Sequence, residues 1–98
     1  MSVDDLQNDA FTNAKPRADV IFTDLDGVEG VLVDLNTKKY YQLNETATLI
    51  WRGLEKGMPI ENIVKDLTDS YDVTPPHALS SVKNLLRDFY AQRLVGPN

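Results

Sequence analysis

The spacing of apolar residues changes from two to 3.6 near Leu43-Asn44, and that change decides what the chain can fold into. Before it come three short runs of β-branched and aromatic residues: Asp19 to Leu25, Val28 to Leu35 and Lys38 to Leu43. Asp26-Gly27 separates the first two and reads as a hairpin turn, because both types tolerate positive φ. Asn36-Thr37 makes the next turn. Gly30, inside the second run, signals a bulge or the close approach of another backbone. Three strands joined this tightly form an antiparallel meander, which needs a covering layer to be stable.

The second half of the chain supplies that layer. Asn44 is an N-cap, and Leu43, Ala47, Ile50, Trp51 and Leu54 follow at helical spacing until Gly57 ends the helix. Ile60, Ile63, Val64, Leu67 and Tyr71 form a second amphipathic stripe. Thr74 caps a third helix that begins with Pro75 and Pro76, where first-turn N–H groups have no helical acceptor. Its apolar face is Leu79, Val82, Leu85, Leu86, Phe89 and Tyr90, running on towards Leu94-Val95 before Gly96-Pro97 stops it. The expected fold class is therefore α+β: a three-stranded meander followed by three helices (βββααα), one domain over residues 18–95. Residues 1–17 have apolar residues without periodicity and read as a flexible N-terminal arm.

Ninety-eight residues make one domain, too short for two lobes with a cleft between them. The chain has no cysteine, so it holds no disulfide and no iron–sulfur cluster. Net charge is −5, and it is unevenly placed: residues 1–36 carry −6 and residues 37–98 carry +1. Such a field repels nucleic acid and anionic membranes. No apolar run approaches the roughly 20 residues of a membrane span. The acidic N-terminus lacks the apolar core of a signal peptide, which points to the cytoplasm.

Groups for covalent chemistry are sparse. His77 is the only histidine, and a zinc site needs three or four convergent ligands. The acidic pairs Asp4-Asp5 and Asp24/Asp26 lack the spacing of a calcium loop. No glycine-rich phosphate cradle is present, and Ser80-Ser81 has no base nearby in sequence. The expectation is a non-enzyme without metal or cofactor.

The run Asp34-Leu35-Asn36-Thr37-Lys38-Lys39-Tyr40-Tyr41-Gln42-Leu43-Asn44-Glu45-Thr46-Ala47-Thr48-Leu49-Ile50-Trp51 resembles the PqqD-like family. Ile60 to Val64, Tyr71-Asp72-Val73 and the stretch from Leu85-Leu86 to Leu94-Val95 extend the resemblance over residues 18–95. Two positions depart from it: Lys38 and Ala47 stand where family members often have glycine. The resemblance implies a winged-helix-like domain that recognises the leader of a ribosomally made precursor peptide. Such domains present the peptide to a modifying enzyme, most often a radical SAM protein, with related domains in lasso-peptide and cyclodehydratase systems. In the family the leader docks as an added strand beside the third strand, over a groove against the third helix.

The residues suit that role. The third strand is short, begins with charge as solitary edges do, and puts Tyr40 and Tyr41 on opposite faces. The third helix is apolar over an arc wider than the roughly 100° of an ordinary core stripe. The expected peptide-binding residues are Lys38, Lys39, Tyr40, Tyr41, Gln42 and Leu43 on the edge, with Val82, Lys83, Leu86, Arg87 and Tyr90 on the helix. Two rivals remain. A winged-helix DNA-binding regulator shares the fold, although its third helix would carry Asp88 among scattered bases. An exposed edge also permits pairing with a second copy as a homodimer.

Overall fold

The structure, a computed structural model, describes residues 14–97. In order it contains β1 (Ala14–Pro16), β2 (Val20–Asp24), β3 (Gly30–Asp34), β4 (Tyr40–Leu43), α1 (Glu45–Glu55), α2 (Ile60–Ser70), α3 (Pro75–Ala91) and β5 (Val95–Pro97). β2, β3 and β4 form the expected antiparallel meander in that spatial order, and the three helices follow it. The sheet packs one face on the helices. Gly30, Leu32 and Asp34 of β3 are buried, while Val31 and Val33 between them are not.

Two short strands were not foreseen. β1 pairs antiparallel with β5, Ala14 opposite Pro97 and Pro16 opposite Val95, and the Arg17 N–H donates to the Leu94 carbonyl. Residues 14–17, expected to belong to the flexible arm, are therefore tied to the other end of the chain. Residues 1–13 of that arm lie outside the described residues. The missed signal is at the other end of the chain, where the apolar stripe predicts helix as far as Leu94-Val95.

α3 ends at Ala91 because Arg93 adopts a left-handed conformation, φ 59°. Arg93 then donates to the Tyr90 carbonyl and Leu94 to the Phe89 carbonyl, a Schellman cap closed by buried Leu94 and Phe89. α1 ends in the same way through Gly57, φ 74°, the residue the sequence marks for that position. Arginine at such a position leaves no composition signal, so the stop at Gly96-Pro97 was misplaced and those residues became strand.

The turns also differ from their expected form. Asp26-Gly27 is part of a loop closed by the Leu25 N–H on the Glu29 carbonyl, not a two-residue hairpin. Asp24 Oδ1 accepts from the Gly27 N–H, and Asp26 Oδ1 accepts from those of Val28 and Glu29. The N–H groups of Glu29 and Val28 hold the Asp26 carboxyl below its ordinary range. Carboxylates capping the loop replace the tight turn.

At the β3–β4 turn, Lys38 donates to the Asp34 carbonyl while the Asp34 N–H donates to that of Lys39. Two residues thus oppose one, a bulge whose first member, Lys38, sits at φ 65°. Glycine tolerates this conformation better than lysine or arginine. Lys38→Gly and Arg93→Gly are each expected to stabilise the fold by about 1 kcal/mol, raising Tm by about 4–8 °C. Thermal melts of the single variants check this.

The core lies between the sheet and the helices. Val20, Leu32 and Leu43 meet Ile50, Trp51, Leu54, Val82, Leu86 and Phe89 there. Trp51 and Phe89 pack edge to face, centroids 5.3 Å apart at 87°, and so set α1 against α3. At Gly30 the close approach is made by a ring: a Cβ there would collide with Phe22 Cε1. The Arg52 guanidinium covers that ring at 5.0 Å.

Candidate functional edge and groove

β4 is an edge: β3 pairs with one side of it, and no described strand pairs with the other. Which of its backbone groups are open follows from the ladder. Asp34 donates to Lys39 across β3 and β4, and in an antiparallel pair the bonded positions alternate. The register sets Leu32 opposite Tyr41 and Val31 opposite Gln42. Tyr41 and Leu43 therefore turn their N–H and C=O groups towards β3. Tyr40 and Gln42 turn theirs outwards, to the open edge. Four unpaired backbone groups stand there in a row, the pattern a guest strand needs.

Side chains sort by the same alternation. Leu43 is buried in the core and Tyr41 is half-buried beneath the sheet. Tyr40, 73% exposed, and Gln42 stand on the outer face. Lys38 and Lys39 are exposed at the start of the strand, giving that end positive charge.

One contact joins the edge strand to the third helix. The Tyr41 hydroxyl donates to Gln92 Oε1 at 3.3 Å, across 51 residues of sequence. Gln92 is the C-cap of α3, and Asp88, Leu85 and Ser81 lie behind it at helical spacing on one stripe. On this flank Leu85 is half-buried against the core and Asp88 is exposed, and Gln92 ties the end of the flank to β4.

The helix residues expected to form the groove wall do not meet there. Val82 and Leu86 are 0% exposed and serve the core. Lys83, Arg87 and Tyr90 fall on the opposite side of the buried Val82–Leu86–Phe89 stripe from Gln92. Arg87 Nη1 donates instead to Asn84 Oδ1 at 3.1 Å, and partial burial pushes the Tyr90 phenol up. The correction has a geometric cause. A wide apolar arc shows that a helix is buried on two sides but not which flank meets which neighbour. Gln92, the residue that makes the connection, carries no apolar signal.

A cavity of about 230 Å³ lies where the N-terminal turns of α1 and α3 meet the end of α2. Leu67, Val73 and Ala78 give it an apolar floor, with Thr46, His77 and Ser81 at its rim. Thr46 follows the end of β4 by three residues and Ser81 belongs to the stripe of Gln92, so the cavity continues the groove. Among the described residues, no three His, Cys, Asp or Glu side chains converge as metal ligands. Among the same residues no helix is long and apolar enough to cross a membrane.

Residues 29–95 match the family model described as Coenzyme PQQ synthesis protein D (PqqD). No curated protein sequence matches the chain. Among solved structures, TbiB1 in complex with the TbiA(beta) leader peptide is 30% identical, with a TM-score of 0.78. That similarity covers 83% of this chain and 93% of TbiB1. A lasso peptide synthetase B1 complexed with the leader peptide is 26% identical, with a TM-score of 0.79 over 87% of this chain and 99% of the other.

Proposed function

The chain belongs to the PqqD family, and we propose that it binds the leader segment of a ribosomally made precursor peptide and presents it to a modifying enzyme. The leader adds a strand at β4, pairing with the outward N–H and C=O groups of Tyr40 and Gln42. Its side chains rest on Tyr41, Leu85, Asp88 and Gln92, and an apolar anchor fills the cavity above Leu67 and Ala78. The observation that carries this reading is the open β4 edge beside the α3 flank, in a chain similar to two proteins solved with leader peptides.

Backbone pairing supplies affinity with little sequence choice, and the groove and cavity decide which leader is accepted. Lys38 and Lys39 favour acidic guest residues at one end of the edge, while Asp88 favours a basic one further along. The chain itself takes no part in covalent chemistry, which belongs to the partner. Its similarity to a lasso peptide synthetase component ranks a lasso-type maturation enzyme ahead of a radical SAM enzyme as that partner. The setting is the cytoplasm, where precursor peptides are made.

A fluorescently labelled leader, taken from the precursor encoded beside the chain's gene, tests the proposal by anisotropy. Saturable binding at micromolar concentration or tighter is expected, with no response to random duplex DNA at low salt. Binding to the duplex but not to the leader would replace this reading with the DNA-binding one.

A further inference from the structure

A second cavity, of about 300 Å³, adjoins the one at the end of the groove. The β2–β3 loop (Gly27, Val28), one face of α1 (Glu45, Leu49, Arg52) and Tyr71 line it. Tyr71 lines both cavities. Its hydroxyl lies at the first turn of α1, against Glu45 of the second cavity and Thr46 of the first. Partial burial and the Glu45 carboxylate push this phenol above its ordinary range. The ring is thus a partition between two chambers. A chain leaving the β4 edge past Leu43 meets the first cavity, then Tyr71, then the second.

We propose that the second cavity is a further leader subsite, and that it takes a lysine or arginine from the leader's flank beyond the strand paired with β4. The inference rests on the leader-binding reading. Val28, Leu49 and Tyr71 receive the methylene stem of the guest side chain, and Glu45 receives its charged head.

Charge selects this occupant. The stretches that border the cavity, residues 24–29, 45–52 and 65–72, hold seven carboxylates and two cations. Both cations are engaged. Arg52 pairs with Asp24 at 3.4 Å and covers the Phe22 ring, and Lys65 pairs with Asp69 at 3.1 Å. Asp26 is turned to the N–H groups of its own loop. Glu45 has no cation partner among the described residues. Residues 1–13 of this chain would bring three acids and no base, and a second copy carries −5, so neither fits. With Lys38 and Lys39 at the far end of β4, the whole site has a polarity. The leader that fits it is acidic beside those lysines and basic beside Glu45.

The test is anisotropy of the labelled leader with the full chain, thermal melts confirming that each variant folds. Glu45→Gln should weaken binding about threefold to fivefold, the upper range for a half-exposed ion pair, and raised salt should shrink the difference. Val28 is 45% exposed on its loop, so Val28→Arg leaves the core untouched. It sets a cation across the cavity and should weaken binding about tenfold, near 1.4 kcal/mol. Glu61→Gln makes the same charge change on the exposed first turn of α2 and should stay within about twofold of the parent chain. Leaders with each lysine or arginine replaced singly by glutamate complete the set. One of them should lose affinity for the parent chain and regain it with Glu45→Lys.

Leader binding unchanged in both Glu45→Gln and Val28→Arg would overturn the inference. So would glutamate leaders that all bind as the parent leader does, or a loss in Glu61→Gln equal to that in Glu45→Gln. Dimers of the parent chain that Val28→Arg abolishes would also overturn it, since a second copy would then fill the cavity. Absence of leader binding by the parent chain would instead overturn the reading beneath it.

Discussion

Gln42→Pro is expected to weaken leader binding at least about 30-fold while leaving the domain folded. The Gln42 N–H points away from β3, so proline there breaks no bond within the sheet. Its fixed φ suits an edge strand, the place within a sheet where proline is tolerated. The guest, however, loses a donor, and its carbonyl is stranded against the proline ring. Loss of that bond and of the acceptor's solvation costs about 2–4 kcal/mol, at roughly 1.4 kcal/mol for each factor of ten.

Tyr41→Pro makes the contrast. Its N–H points to β3 opposite Leu32, so the same substitution one residue earlier strands a carbonyl inside the domain and lowers stability by about 1–3 kcal/mol. Thermal melts with leader anisotropy separate the two outcomes. A folded Gln42→Pro variant that binds leader as the parent does would end the strand-addition model.

That contrast shows what the sequence could convey about the edge. Lys38 to Leu43 read as a strand from its tyrosines and its position last in a meander, and alternation placed the two rings on opposite faces. The outward-facing backbone groups were not legible. They depend on the bulge at Lys38-Lys39, which sets the phase of the ladder by one residue. A bulge beginning with glycine announces itself, whereas one beginning with lysine does not. The same reason hid the end of α3. Arg93 occupies the left-handed cap, so the helix stopped earlier than its apolar stripe suggested and the residues beyond it became β5.

The helix flank was lost for a different reason. Periodicity assigns each residue an angle around its own axis, and that was right for α3: Val82, Leu86 and Phe89 form the buried stripe. What periodicity lacks is the rotation of one helix relative to a strand that ends more than 30 residues before it begins. The half-buried residues on either side of the stripe look alike from sequence, Leu85 on one side and Leu79 and Tyr90 on the other. Only a long-range contact decides between them. Here it is a polar one, Tyr41 to Gln92, which no apolar pattern can signal.

Trp51→Ala should be the most damaging single change in the core, lowering stability by about 3–5 kcal/mol out of the roughly 5–15 available to a domain of this size. The indole is 0% exposed and holds Phe89 edge to face, so truncation opens a cavity between α1 and α3. A fall in Tm of about 20 °C follows from the small unfolding entropy of so short a chain. Trp51→Phe should behave very differently. Indole Nε1 is buried without a hydrogen-bond partner among the described residues, and such a stranded donor costs about 1–3 kcal/mol. Phenylalanine removes that penalty together with part of the ring, so the two effects oppose each other and the net loss stays below about 1.5 kcal/mol. Chemical denaturation of the two variants measures the difference. A loss for Trp51→Phe well above about 1.5 kcal/mol would mean that the indole N–H is satisfied after all. The folded Trp51→Phe variant should also keep leader affinity within about threefold. Its aromatic contact with Phe89 still fixes α3, and Gln92, three residues further on, then still reaches Tyr41 at the edge where the leader docks.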